Sequence, residues 1–190
     1  MHNIERSDDS DLDLLLTLTR IAPPDEQDVR SLTLRIAHLL FASTHTTTMF
    51  LTHVLYDIAS RPEYIKPLSQ EISDVCNLED PDRSTIDHLV QMDSFLKESA
   101  RFSRVPSLSM RRKVVQPFRF KDGTKLPVGA YVSVPSYGIH ADEEFYRDPL
   151  TFDGMRFLEG EDGKRVPFVQ ISNSFMAFGR GKHACVRNIS

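Results

Sequence analysis

Tryptophan is absent from this 190-residue chain, and cysteine occurs only twice. Two cysteines, Cys76 and Cys185, are too few for a disulfide framework, so the chain reads as one that folds in, or faces, a reducing compartment, with Cys76 as a structural residue. No apolar run approaches the roughly 20 residues that span a bilayer, and Met1 to Asp13 is too polar for a signal peptide. Any membrane anchor is therefore expected outside this chain. A basic stripe is also missing, and the net charge of −4 gives no reason to expect a nucleic-acid partner. With 40% hydrophobic and 26% charged residues the composition is that of a globular protein, and the length suits one domain with its own core.

What is present is mostly helical periodicity. Residues 1–24 read as a polar N-terminal segment with a short helix around Leu14, Leu15, Leu16 and Leu18, broken by Pro23-Pro24. The acidic residues Asp25, Glu26 and Asp28 suit the start of a long helix, and no glycine or proline interrupts the chain from Asp25 to Ser60. Ser60-Arg61-Pro62-Glu63 has the form of a capping box opening a helix to about Val75, and Asn77 to Arg83 reads as a polar loop. A further helix is expected from near Ser84, burying Leu89, Met92, Phe95, Leu96 and Phe102 and closing at Pro106. Alternation over Val114 to Phe120, a turn at Asp122-Gly123, a second turn at Pro127-Val128-Gly129 and a return strand Tyr131 to Val134 form a small β region. The fold class is thus mainly α with a small antiparallel β region.

Three stretches carry candidate chemistry, each with a structural alternative. In Phe178-Gly179-Arg180-Gly181-Lys182-His183-Ala184-Cys185 the glycines let a loop lie close to a flat ligand, so the cysteine suits a thiolate ligand to a metal; the alternative is a glycine turn before an inert buried cysteine. Ser43-Thr44-His45-Thr46-Thr47-Thr48 places six polar residues in the middle of the long helix, where hydroxyls bend rather than support it; the alternative is a helix crossing lined by small residues. Glu98 and Arg101 stand one helical turn apart, as solvated surface ion pairs commonly do.

Taken in order along the chain, these motifs resemble the cytochrome P-450 family. Phe178, Gly179, His183 and Cys185 match its haem-binding loop, and Ala42-Ser43-Thr44-His45-Thr46-Thr47 is similar to its oxygen-binding segment. Glu98-Ser99-Ala100-Arg101 matches its Glu-x-x-Arg helix, and Phe152-Asp153-Gly154-Met155-Arg156-Phe157 its meander. The resemblance implies that residues 25–190 are a partial P-450 domain. It further implies haem b bound through the Cys185 thiolate, with Phe178, Gly179 and His183 around the cofactor, and either Arg111 or Arg112 at a haem propionate. Thr46, with His45 in place of the usual acid, would manage protons, a task histidine can perform near neutral pH. Glu98, Arg101 and Arg156 would form the scaffold lock behind the haem, and His140 would be structural rather than catalytic. The implied function is haem-thiolate monooxygenation of a lipophilic small molecule, as in filamentous-fungal secondary metabolism including terpenoid pathways. Electrons would come from NADPH through cytochrome P-450 reductase, and an intact relative would sit on the cytosolic face of the endoplasmic reticulum membrane. This chain, lacking an anchor, would be cytoplasmic.

The sequence departs from the family pattern at Ser43, His45, Gly154 and Met155. It also ends in Val186-Arg187-Asn188-Ile189-Ser190, with Arg187 where the family has a glycine opening the helix beneath the haem. Truncation at both ends is expected, with an unspliced intron after Cys185 or a true truncation as its source, since valine codons begin with the bases that open most introns. The alternative function is a non-catalytic remnant that does not bind haem productively. A helical interaction module unrelated to haem would require all four motifs to be accidental.

Overall fold

The computed structural model describes residues 14–77, 83–103, 108–160, 163 and 165–185. The polar segment before residue 14, most of the loop expected at 77–83, the closing Pro106 and the tail after Cys185 lie outside them. The chain divides into two compact units, residues 1–52 and 53–190.

Helix α1 covers Leu14–Ile21, and a single 3-10 turn, Pro24–Glu26, follows the Pro23-Pro24 break. The long helix α2 spans Val29–Ser60, four residues shorter than expected at its start. Asp28 is the reason: its carboxylate accepts hydrogen bonds from the amides of Arg30 (3.0 Å) and Ser31 (3.1 Å), so it closes the N-terminus instead of lying inside the helix. A hydrogen bond from the Ser31 side chain, with these amide bonds, holds the Asp28 carboxyl below the usual carboxylate range. The polar run is helical, and hydroxyls within and just after it bond back to the preceding turn. Ser43 donates to the Leu40 carbonyl at 3.1 Å, Thr46 to that of Ala42 at 2.6 Å and Thr52 to that of Thr48 at 2.9 Å.

Ser60 does not cap the next helix. Its hydroxyl donates back to the carbonyls of Tyr56 and Asp57, making it the last residue of α2, and a 3-10 turn at Pro62–Tyr64 precedes α3, Ile65–Cys76. The expected helix from Ser84 is a 3-10 turn, Arg83–His88, followed by α4 at Val90–Phe102. Leu89, at the N-cap, has no side chain with which to cap. Glu71 of α3 caps α4 instead, its two oxygens accepting from the amides of Gln91 (2.6 Å) and Met92 (2.8 Å). Cys76, expected to be structural, is exposed at the end of α3.

The expected apolar face of α4 is also corrected. Phe95 is fully buried, but Met92, Leu96 and Phe102 are only half-buried, while Ser94, Lys97, Glu98, Ser99 and Arg101 are buried. Hydrogen bonds made by these side chains account for this inversion, Ser99 donating to the Asp57 carboxylate at 2.7 Å and the others bonding to later segments.

The β region forms two antiparallel ladders with a different partition from the expected one. Strand β1 (Ser109–Lys113) pairs with β4 (Tyr131–Val134), and β2 (Phe118–Arg119) pairs with β3 (Lys125–Leu126) through the Asp122-Gly123 turn. In that turn Gly123 has φ 93° and the Asp122 carboxylate accepts from the Thr124 amide at 2.8 Å. Val114 thus lies beyond the end of β1 rather than beginning a strand. A bulge in β1 between Ser109 and Arg112 accommodates Met110 at φ 51°. After the short helix α5 (Ser136–His140) the described residues run through turns to Cys185, with a 3-10 turn at Gly181–His183.

Four rings close the packing around this run: Tyr64, Phe95, Phe102 and Phe152 meet edge to face with centroids 5.3–6.0 Å apart. Gly154 fits against them, its amide donating to the Tyr64 hydroxyl at 3.1 Å. A Cβ at residue 154 would lie 2.7 Å from Phe95 Cδ2 and 2.8 Å from Tyr64 Cε1. Gly154→Ala is therefore expected to lower unfolding stability by about 1–3 kcal/mol, read from the denaturant midpoint.

Candidate functional site

Among the expected site residues, Glu98, Arg101 and Arg156 are brought together inside the second unit. The Glu98 carboxylate accepts from Arg101 Nε and Nη2, both at 2.7 Å, from Arg156 Nε at 3.2 Å to each oxygen, and from the Asp153 amide at 3.0 Å. Side-chain exposures of 1% for Arg101 and 0% for Glu98 exclude a solvated surface pair. The remaining guanidinium donors go to main-chain carbonyls. Arg101 Nη1 reaches His140 O (2.5 Å) and Pro149 O (2.8 Å), while Arg156 reaches Arg147 O (2.5 Å) and Thr151 O (3.0 Å).

The polar face of α4 extends this pattern on both sides of the pair. Asp93 accepts from the Phe168 amide at 2.9 Å, and Ser94 accepts from that of Phe157 at 3.0 Å. Lys97 donates to Pro167 O at 2.7 Å and Gln170 O at 2.9 Å. The ammonium also lies 4.5 Å from the Phe175 ring centroid and 5.2 Å from that of Phe157. Burial pushes its pKa down to about 8. Sequence reasoning missed Asp93, Ser94 and Lys97. The signal was the charged stripe Asp93, Lys97, Arg101 at four-residue spacing, which reads as a solvent face until something polar is found to cover it.

His140 sits between this network and the cysteine loop. Its carbonyl receives Arg101, its Nε2 accepts from the Met176 amide at 2.9 Å, and its ring stacks on Phe175 at 5.6 Å. Burial, reinforced by the Arg101 charge, pushes its pKa down to about 4.

The cysteine loop is closed by its own backbone. The Cys185 amide donates to Phe178 O at 2.8 Å and the Gly179 amide to Met176 O at 3.0 Å. Gly179 and Gly181 have φ of 70° and 72°, the left-handed region that side chains with a Cβ rarely occupy. Phe178 packs on Phe168 (5.0 Å) and Phe175 (6.2 Å), and His183 and the Cys185 thiol are exposed. Cys185 is thus exposed rather than buried. A soft thiol presented to the outside from a loop with two left-handed glycines fits the donor that haem iron takes from a thiolate protein.

Arg111 and Arg112 are exposed on β1, with the Arg111 guanidinium 4.4 Å from the Tyr131 ring centroid and Arg112 Nη1 donating to Arg111 O at 2.9 Å. Thr46 and His45 are exposed on α2 in the first unit, the His45 ring stacked on Phe41 at 5.1 Å.

A thiol-bearing glycine loop carried behind a buried carboxylate–diguanidinium network defines the class of scaffold. The chain belongs to the cytochrome P-450 family, whose model matches residues 2–186. It is 36% identical over 184 residues to the ent-kaurene oxidase of Gibberella intermedia, covering 93% of this chain and 35% of that protein. It is 40% identical over 152 residues to the cytochrome P-450 monooxygenase prx8 of Penicillium rubens, covering 76% of this chain and 28% of that protein. It is also 33% identical over 180 residues to cytochrome P-450 monooxygenase 71 of Postia placenta, covering 93% of this chain and 36% of that protein. The chain thus spans about a third of the length of the curated relatives it matches. No helix among the described residues is long and apolar enough to cross a membrane.

Two outcomes follow from the network. Arg101→Met leaves the His140 and Pro149 carbonyls without their donor and Glu98 with one guanidinium, so it is expected to cost about 3–5 kcal/mol in denaturant unfolding. Arg147→Ala, whose side chain is 94% exposed, is expected to stay within about 0.5 kcal/mol. For His140, a folded pKa of about 4 below an ordinary value of 6.5 means that the neutral ring contributes stability above pH 6.5 that is lost as pH falls through 4. His140→Gln, which offers an untitratable oxygen to the Met176 amide, is expected to flatten stability between those pH values relative to wild type.

Proposed function

We propose that the protein to which this chain belongs is a haem-thiolate monooxygenase that oxidises a lipophilic small molecule, with a terpenoid skeleton as the leading class. The closed loop from Phe178 to Cys185, with its exposed thiol, is the observation that carries this reading. Similarity to ent-kaurene oxidases supports the substrate class, and similarity to other fungal P-450 monooxygenases supports the reaction class.

Cys185 would bind haem b through its thiolate, with Phe178, Gly179 and His183 on the loop side and Arg111 or Arg112 at a propionate. The bound group would supply redox chemistry, the thiolate pushing electron density that favours O–O cleavage. The chain's own task is to hold Cys185 still and to keep its backbone bonded: Phe178 O takes the Cys185 amide, leaving the sulfur as the free donor of the loop. On α2, Thr46 and His45 would hold and pass protons. The Thr46 hydroxyl donates to Ala42 O at 2.6 Å, which leaves its oxygen lone pairs as acceptors. NADPH would deliver electrons through cytochrome P-450 reductase, and we place the intact protein on the cytosolic face of the endoplasmic reticulum membrane.

A non-catalytic chain that binds no haem is the second reading, favoured by the exposed apolar side chains Leu40, Phe41, Leu51 and Leu55 of α2. One experiment separates the two. Haem-loaded protein, reduced and exposed to carbon monoxide, is expected to give the thiolate-type Soret shift, and Cys185→Ser is expected to abolish it. Colourless, aggregated wild-type protein would establish the second reading.

A further inference from the structure

Lys97 is an unusual interior residue. The residue is 1% exposed, yet among the described residues no carboxylate bonds to it. The ammonium is solvated by two carbonyls of one turn, Pro167 and Gln170, which the Gln170 amide closes onto Pro167 O at 2.9 Å. Its remaining side rests against the Phe175 and Phe157 rings. Desolvating a lysine is costly, so an aliphatic residue would serve better if filling space were the only requirement.

The aromatic partners lead to the cysteine. The Phe175 ring, 1% exposed, lies between the Lys97 ammonium at 4.5 Å and the His140 ring at 5.6 Å, and it meets Phe178 at 6.2 Å. Phe178 packs on Phe168 at 5.0 Å, and the Phe168 amide is held by Asp93, four residues before Lys97 on the same helix. The Phe178 carbonyl in turn receives the Cys185 amide. Both the 167–170 turn and the 175–178 segment are therefore referenced to one ammonium on α4.

We propose that Lys97 is a positioning residue for the cysteine loop, holding the 167–170 turn and the Phe175–Phe178 rings so that Cys185 keeps one place relative to α4. This rests on the reading of Cys185 as the iron ligand, but the geometry of the loop can be measured without it. The other charged group acting on Lys97 is Asp93, which is already committed to the Phe168 amide and to Arg165 at 3.3 Å.

The test replaces Lys97 by Met in the full-length protein, which preserves the apolar stem and removes the donors. Amide hydrogen exchange at Gln170, Gly179 and Cys185 is expected to speed up about tenfold, as for the loss of one net hydrogen bond, while the amides of Asp153 and Phe157, held by Glu98 and Ser94, keep their protection. In the haem-loaded protein, part of the carbon monoxide signal is expected to change from thiolate type to non-thiolate type, and Lys97→Arg is expected to restore it. Unchanged exchange at Gly179 and Cys185, or a loss shared equally by Asp153 and Phe157, would overturn the proposal. If Lys97→Met does not fold, Phe178→Leu tests the relay at a half-buried ring: faster exchange at Cys185 with Gln170 still protected supports it, and an unchanged Cys185 overturns it. Failure of the monooxygenase reading itself would show separately, as a Cys185→Ser protein with wild-type haem spectra.

Discussion

Burying a carboxylate and a guanidinium one turn apart on α4 is tolerable only if every remaining donor and acceptor finds a partner, and that requirement organises the second unit. Taking two charges out of water costs several kcal/mol for each ion, and the attraction between them offsets this only with good geometry and full hydrogen bonding. Glu98 receives Arg101 through two 2.7 Å bonds and adds Arg156 and the Asp153 amide. Arg101 spends its remaining donor on two carbonyls at the C-terminus of α5 and in the loop after it. Pulling any of these segments away would leave a buried charge underbonded, so the pair constrains the chain from residue 140 to 156.

The same logic explains how a long run of turns can pack at all. Residues 141–185 contain no long helix and no strand among the described residues, so their amides and carbonyls need partners from elsewhere. Side chains of α4 supply them: Asp93, Ser94, Lys97, Glu98 and Arg101 each bond to the main chain of a later segment. Aromatic rings then fill the space between, and cations rest on their faces, Arg61 over Phe152 at 4.0 Å and Lys97 over Phe175 at 4.5 Å. Gly154, where the resemblance led one to expect proline or an acid, belongs to this packing because the Tyr64 and Phe95 rings occupy the space of its missing side chain.

Where sequence reasoning went astray, the cause was a partner distant in the chain. A helix start was expected near Ser84, but α4 begins at Val90 and is capped by Glu71 from another helix. Ser60 looked like a cap followed by Pro62 and Glu63, yet its hydroxyl bonds backward to Tyr56 and Asp57. Tyr131 to Val134 was legible as a strand, whereas its partner β1 lies on the far side of a whole hairpin. The apolar face assigned to α4 followed hydrophobic periodicity, which cannot register a helix whose covering layer is main chain rather than side chains. By contrast, the long α2 was legible apart from its first turn, because no glycine or proline lies between residues 29 and 60 and the polar run costs at most about 0.7 kcal/mol per residue in helix propensity.

By itself the sequence determined the family, the predominantly helical class with its small β region, and the order of the chemical motifs, because these depend on local periodicity and on residue types at short spacing. Tertiary structure alone decided that Glu98 and Arg101 are interior, that Lys97 and Asp93 belong with them, and that Cys185 is presented outward from a loop closed on Phe178. The physical reason is that burial and hydrogen-bond satisfaction are properties of pairs. A charged side chain at a helical position has the same sequence signature in water as in a core, and only the carbonyls and amides that reach it from dozens of residues away distinguish the two.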